Sequence, residues 1–299
     1  MTKAAEQLHI AQPALGQQMR QLEESFTVSL LVRHSRGVAP TEAGSLLFER
    51  ALKIMQLVSD TEQEVARLGG AAREIVTLGL TPSITQVLGS ELLVQARERV
   101  PGVFLSLVED VSYVLLEAMK DGKLDIALAY EVAGLPGPSR TAVMDEDLLF
   151  LTAPQLSDSE EPITFAEAMT HNLALTGKRD MVRHLVEAAA ARIGVQVPMV
   201  FEVQSIPALR DIALRGLAAC IMPYGTAINE IKRGALVGRR IVDPAITRTL
   251  YLFRPAGRPA FFNEVALSLL IQDMIVLLKD AIGPLAQYHP DFQPNTQTP

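Results

Sequence analysis

From residue 74 onward the apolar positions alternate between two periods. Residues 75–80, Ile-Val-Thr-Leu-Gly-Leu, form a short apolar run bounded by a Thr-Pro-Ser turn, the pattern of a buried strand. Val87, Leu88, Leu92, Leu93 and Ala96 then recur at helical spacing, and Pro101-Gly102 turns the chain into a strand over 103–109. A helix over 113–120 stops at Asp121-Gly122, and 124–130 is a third strand. This βαβαβ order predicts a parallel sheet with right-handed crossovers. Gly134 to Pro138 read as a loop. A second unit opens near Glu146, with strands predicted over 148–152, 173–176, 199–203, 218–223 and 248–253. A short helix from Thr164 and helices over 181–193, 208–215 and 263–279 fall between and after them.

The expected architecture is α/β with two lobes, lobe I over about 73–145 and 254–283 and lobe II over about 146–253. Crossover strands near 148–152 and 250–253 join them, and a ligand crevice lies between them at strand carboxyl ends. Residues 284–299 are rich in Pro, Gln, Asn and Thr and read as a disordered tail.

Upstream, residues 45–72 carry a different pattern. Leu47, Ala51, Ile54, Val58, Thr61, Val65 and Leu68 step by four and three, an a/d seam, with charged residues outside it. So narrow a stripe needs a partner helix, and the segment is expected to pair two subunits before a hinge at Gly69-Gly70-Ala71-Ala72. Residues 1–44 predict two short helices across the turn His9-Ile10-Ala11. Thr2 caps the first, and Pro13 suits the first turn of the second, which runs to about Glu24 over the inner stripe Leu15, Met19 and Leu22. Its outer face, with Gln12, Gly16, Gln17, Gln18, Arg20 and Gln21, is rich in amides. An amide can pair with adenine in the major groove and Arg20 can reach phosphate or guanine, so the pair reads as helix-turn-helix. Residues 30–39 form a hairpin, a wing with Arg33, His34 and Arg36 at its tip.

The words AAEQLHIAQPAL, LEE and LLVRHSRGVAPTEAG, in that order and spacing, closely resemble the winged helix of LysR-type transcriptional regulators, and most of all their nitrogen-assimilation-control branch. The likeness extends more loosely to about Leu278. It implies a partial N-terminal winged helix-turn-helix, a long linker helix that pairs in dimers or tetramers, and a two-lobed effector domain like a periplasmic binding protein. It places DNA contacts on Gln12, Pro13, Gln17, Arg20, Arg33, His34 and Arg36. It places effector contacts on Thr81, Pro82, Ser83, Ser112, Thr176, Gln204 and Ser205. Tyr130 and Tyr224, at strand ends, are further candidates to line the crevice. Double-stranded DNA and a small-molecule effector are the implied partners, and RNA polymerase is one that the resemblance allows. Two departures stand out. Gly16 and Gln17 occupy positions where the family commonly has Ser and Arg, and the family's first helix, ahead of the turn helix, is expected to be missing before Met1.

Composition narrows the chemistry. At 48% hydrophobic residues, 299 residues can bury two cores, and a net charge of −7 excludes a chain that binds nucleic acid by bulk charge. The lone cysteine, Cys220, sits in an apolar run and reads as a buried inert thiol. With no signal peptide and no 18-residue apolar run, a soluble cytoplasmic protein is expected. No nucleophile–base motif, P-loop or metal-ligand spacing appears, so no catalytic residue, cofactor or metal is assigned. Asp145-Glu146-Asp147 and Arg239-Arg240 read as solvated charge, and His171 and His184 as surface or capping residues. Three strand-to-helix turns, at Thr81-Pro82-Ser83, Thr176-Gly177-Lys178 and Gln204-Ser205-Ile206, offer hydroxyls beside helix amides, which suits an anionic effector. A binding protein that does not bind DNA and an enzyme on a two-lobed scaffold are the alternatives these residues leave.

Overall fold

The computed structural model describes residues 5, 11–34, 37–68, 74–130, 139–157, 159–255, 261 and 263–294. The expected first helix (apart from Ala5), Arg36 at the wing tip, the side chain of Arg33, the hinge at 69–72, the loop at 134–138 and the last five residues of the tail lie outside that description. The chain divides into two compact units, residues 1–72 and 73–299.

In the first unit, α1 (Gln12–Phe26) starts with Pro13 in its first turn and ends on Thr27, whose φ of 54° reverses the chain. The Glu23 carboxylate accepts the amides of Leu30 and Leu31 at 2.8 and 3.1 Å and so fixes the entry to the hairpin β1 (Leu31–His34) and β2 (Gly37–Pro40). The antiparallel register runs from Leu31 opposite Pro40 to His34 opposite Gly37. Helix α2 (Glu42–Leu68) follows at once. The Thr41 hydroxyl accepts the Gly44 amide at 3.0 Å and donates to Ser29 O at 2.7 Å. A Cβ on Gly44 would lie 2.0 Å from Leu30 O, so the run Thr-Glu-Ala-Gly is a helix cap closed tightly on the hairpin. Of the expected inner stripe of α1, Leu15 is buried, Met19 half-buried and Leu22 exposed.

The second unit has a mixed sheet in the order β4-β3-β5-β12-β6-β10-β8-β9. Lobe I holds β3 (Glu74–Leu80), α3 (Pro82–Arg99), β4 (Val103–Glu109), α4 (Ser112–Lys120) and β5 (Ile126–Tyr130), with β3 parallel to β4 and β5. The long strand β6 (Ser139–Thr152) leads from it into lobe II. There follow β7 (Ile163–Thr164), α5 (Phe165–Ala168), β8 (Leu173–Leu175), α6 (Met181–Ile193), β9 (Met199–Glu202), α7 (Ile206–Leu214), β10 (Ala219–Pro223), a 3-10 turn (Tyr224–Thr226), α8 (Ile228–Lys232) and β11 (Val237–Val242). The chain returns through β12 (Thr247–Arg254), and α9 (Glu264–Ile282) and β13 (Ala286–Tyr288) complete lobe I. Lobe I buries Leu78, Leu128 and Leu250 against Leu88 and Leu92 of α3 and Leu270 and Met274 of α9, and Leu115 and Met119 of α4 pack beside Phe253. Lobe II packs Leu148, Phe150 and Ile221 on one side with Val186 of α6, and Leu149, Leu151 and Cys220 on the other with Leu209 of α7.

Several expectations are corrected here. Strand β6 begins at Ser139 rather than at 148, because its mixed stretch up to Asp147 pairs along its length with β12. The lobes therefore meet at Asp147–Leu148 and Ile246–Thr247, where Leu148 N donates to Ile246 O at 2.9 Å. The predicted crossover strands at 148–152 and 250–253 fall in β6 and β12, which do pass between the lobes, but Leu250 and Phe253 belong to the core of lobe I and the second passage comes before them. Residues 284–294 are ordered: β13 pairs with Met144–Glu146, and Phe292 stacks on Tyr288 with centroids 5.7 Å apart. The acidic run is not solvated charge. Asp145 accepts from Thr249 at 2.6 Å, Asp147 from Arg240 and Thr247 at 2.8 and 2.7 Å, and Glu146 is 1% exposed. Arg239 is also buried, on the carbonyls of Glu161 and Pro162 and on Glu167. Among the described residues no helix is long and apolar enough to cross a membrane.

Candidate functional sites

The first unit presents a polar face. On α1, Gln12, Pro13, Gln17 and Arg20 are all exposed while Leu15 on the opposite side is buried, and among the described residues nothing lies within 4 Å of a Cβ placed on Gly16. Helix periodicity thus turns an amide-rich row outward and leaves it open to a large partner. His34 is exposed at the end of β1. Along α2, Ile54, Val58 and Val65 of the expected seam are 61%, 47% and 62% exposed, and Leu46, Phe48 and Leu57 are exposed beside them. The apolar stripe is therefore wider than a strict a/d seam.

The second unit holds a cleft between its lobes, with about 580 Å³ of empty space, part of it open to solvent. From lobe I it is lined by Thr81, Pro82, Ser83, Val111, Ser112, Tyr113 and Tyr130, and from lobe II by Thr176, Arg179, Asp180, Met181, Val182, Ile206, Leu209, Ile221, Met222, Pro223 and Thr226. Arg248, at the passage between the lobes, closes the set. Three helices begin at this wall. Thr81 precedes α3, but its hydroxyl makes no capping bond and lies 3.4 Å from the Ser83 hydroxyl. The first-turn amides of Ile84 and Thr85 go to Thr81 O, and Pro82 has no N–H. The Ser112 hydroxyl, at the start of α4, accepts the Tyr130 amide at 3.0 Å. Asp180 caps α6 through Val182 N at 2.9 Å and accepts the Thr176 hydroxyl at 2.9 Å.

Beneath the cleft lies a buried polar cluster. Arg248 and Glu146 stand opposite one another on β12 and β6. Nε and Nη2 of Arg248 both reach Glu146 Oε2, at 3.0 and 2.6 Å, and Nη2 also donates to Ser83 Oγ at 3.0 Å. The Tyr130 hydroxyl donates to the same Oε2 at 2.8 Å, and the guanidinium carbon sits 3.5 Å from the Tyr130 ring centroid. Burial disfavours the phenolate, and the Glu146 carboxylate disfavours it further, so the Tyr130 pKa is pushed well above its ordinary value despite Arg248. Burial acts against the charge of Arg248, but Glu146, Tyr130 and Asp180 together outweigh it and hold the guanidinium charged. Glu146 Oε1 is buried with no partner among the described residues.

The lobes also meet at the rim. Arg179 pairs with Glu117 at 2.6 Å and lies over the Tyr113 ring, and Arg210 donates to Gln86 Oε1 at 2.9 Å and Thr226 O at 2.8 Å. Of the residues expected in the crevice, Thr81, Pro82, Ser83, Ser112, Tyr130 and Thr176 line it. Gln204, Ser205 and Tyr224 do not. Gln204 covers Gly177, the exposed Ser205 caps its own helix through Ala208 N at 3.4 Å, and Tyr224 packs between the cores of the two lobes. The expectation omits Arg248, Glu146, Asp180 and Arg179.

A family model described as the LysR substrate binding domain matches residues 69–268, and one described as a bacterial regulatory helix-turn-helix protein of the lysR family matches residues 1–45. The chain belongs to the LysR family. As a LysR regulator it is a DNA-binding transcriptional regulator with an effector-binding domain. It is similar to the nitrogen assimilation regulatory protein nac of Escherichia coli strain K12, at 32% identity over 86% of this chain and 84% of the relative. Among solved structures, a full-length OxyR variant from Pseudomonas aeruginosa aligns with a TM-score of 0.64 at 18% identity, over 98% of this chain and 93% of the other. The effector binding domain of QuiR in complex with shikimate aligns with a TM-score of 0.59 at 16% identity, over 68% of this chain and 96% of the other. These two structural likenesses bear on the fold alone.

Proposed function

We propose that this LysR regulator reads its operator through the outer face of α1, with Gln12 and Gln17 on base edges and Arg20 on phosphate. Pro13 starts the helix at the groove, and Arg33, His34 and Arg36 of the hairpin hold the neighbouring backbone. Two copies join through the apolar stripe of α2, so that paired helices meet paired half-sites. The effector is a small molecule held in the cleft by Thr81, Pro82, Ser83, Ser112, Tyr130 and Thr176. The chain acts in the cytoplasm as a regulator rather than as an enzyme. The observation that carries the proposal is the cleft itself, where three helix starts and a buried cation converge on empty space between two lobes. A gel shift of the protein on the DNA upstream of its own gene tests the first half. Specific retention that survives competitor DNA is expected, and retention no tighter than on unrelated DNA would overturn it.

A further inference from the structure

The charged groups at the cleft keep hydrogen-bonding capacity to spare. Arg179 is committed to Glu117 across the rim. Arg248 gives Nε and Nη2 to Glu146 and Ser83, and among the described residues nothing accepts from its Nη1. Asp180 uses Oδ1 twice, for Thr176 and Val182 N, and among the described residues nothing donates to its Oδ2. So a cation with a vacant donor and an anion with a vacant oxygen line one cleft, the first at the passage between the lobes and the second on lobe II. A ligand that matches both gains two charge-assisted hydrogen bonds in a cleft partly shielded from water. A dianion meets Asp180 and a plain cation meets Arg248. A molecule that carries one carboxylate and one ammonium opposes neither. The rest of the lining, including Val111, Val182, Leu209 and Ile221, is apolar and suits a hydrocarbon side chain.

We propose that the effector is a free α-amino acid with an apolar side chain, its carboxylate on Arg248 and the hydroxyls of Thr81 and Ser83 and its ammonium on Asp180. This rests on the cleft being the effector site. Arg248 and Asp180 are then the residues that select the ligand, and Glu146 is a positioning residue that holds the guanidinium over Tyr130 and sets how much of its charge is on offer. Because Glu146 and Arg248 stand on the two strands that pass between the lobes, the ligand is sensed where the lobes articulate.

The test is thermal unfolding and calorimetric titration of the full chain with the proteinogenic amino acids, each beside its des-amino acid and its decarboxylated amine. At least one apolar amino acid should raise the unfolding midpoint, and neither analogue should match it. Asp180→Asn keeps the helix cap, since Asn caps as well as Asp, yet should weaken amino-acid binding on the order of ten-fold or more, the equivalent of one lost ionic contact. The double variant Arg248→Met/Glu146→Gln removes both buried charges together and should lose the amino acid while still unfolding cooperatively. Glu146→Gln alone should unfold at a lower temperature yet bind more tightly, which mere structural damage does not produce. No amino-acid binding, an equal response to the des-amino acid, or undiminished binding by Asp180→Asn each overturns the proposal. Ser112→Trp, which fills the cleft wall, separates the two levels. A ligand of another class that stabilises the parent but not Ser112→Trp leaves the cleft as the effector site and rejects the amino acid. An amino acid that binds Ser112→Trp unchanged rejects the cleft as well.

Discussion

Gly225 backs directly onto Ser83: a Cβ on Gly225 would fall 2.3 Å from the Ser83 carbonyl oxygen and 3.2 Å from a methyl of Val87. Backbone meets backbone here, lobe II against the first turn of α3, and no flexible side chain can move aside. Gly225→Ala should force the 3-10 turn off that helix start and cost about 1–3 kcal/mol, the usual penalty of overpacking. Urea unfolding should show a lower midpoint with an unchanged slope. A midpoint equal to that of the parent would mean that the lobes do not hold this contact in solution.

Arg20 is exposed on the amide-rich face of α1. Replacing it by Ala should weaken DNA binding on all sequences alike and lower the log–log salt slope by about one. Gln12→Ala should instead cost roughly 1–3 kcal/mol at one position of the site and leave the slope alone. Fluorescence anisotropy at several salt concentrations separates the two, and a slope that Arg20→Ala does not change would take Arg20 off the phosphate.

The apolar stripe of α2 makes a prediction about assembly. Ile54→Glu puts a charge in the middle of the stripe, where an unpaired carboxylate in a dry interface costs several kcal/mol. Sedimentation should then give a monomer at micromolar concentration, against the dimer or tetramer expected of the parent. If the variant associates as tightly as the parent, the stripe is not the interface.

Cys220 is buried, its thiol donates to Leu209 O at 3.3 Å, and burial pushes its pKa up to about 12 from 9.0. The folded thiol therefore keeps its proton where the unfolded one loses it. Between about pH 9 and 12 the native state binds more protons, so this residue lowers stability as pH rises, by at most about 1.4 kcal/mol per unit. Below about pH 9 it contributes no pH dependence. Cys220→Ala should flatten the alkaline limb of the stability profile, and the parent thiol should resist alkylation at about pH 8 until denaturant is added. Rapid alkylation of the folded chain would contradict the burial.

Much of the scaffold is legible because its apolar positions keep one period between clear stop signals: the strand at 103–109 and the helix at 181–193 have the predicted bounds. Five of the six cleft residues lie at strand-to-helix turns and Tyr130 ends a strand, and Thr-Pro-Ser after an apolar run is a local signal. The buried cluster escapes that reading because a run of charge looks like solvation. Yet Glu146 falls in phase with Met144 and Leu148, and Arg248 with Leu250, all of them buried. A charge on the apolar phase of a strand is the mark of a buried pair, and period-two alternation alone is enough to raise it. The ordering of 284–294 is hidden for another reason. Its composition is that of a flexible tail, and only β6, far away in sequence, supplies the edge it pairs with.

The place of β13 has a consequence for how the domain is made. The fully buried residues of lobe II all come from one unbroken stretch of chain, so that core can close during synthesis, and Leu285 then packs against it from outside that stretch. Lobe I draws on both ends of the unit, and its late pairing, Ala286–Tyr288 beside Met144–Glu146, bridges more than a hundred residues. Such distant pairings carry the entropy of closing a long loop and come late. The strand that carries Glu146 therefore keeps one open edge until residues 286–288 have been made. A chain cut after Gly283 would keep that edge open for good, as a template for another strand, and should be lost to aggregation before any defect in ligand response could be measured.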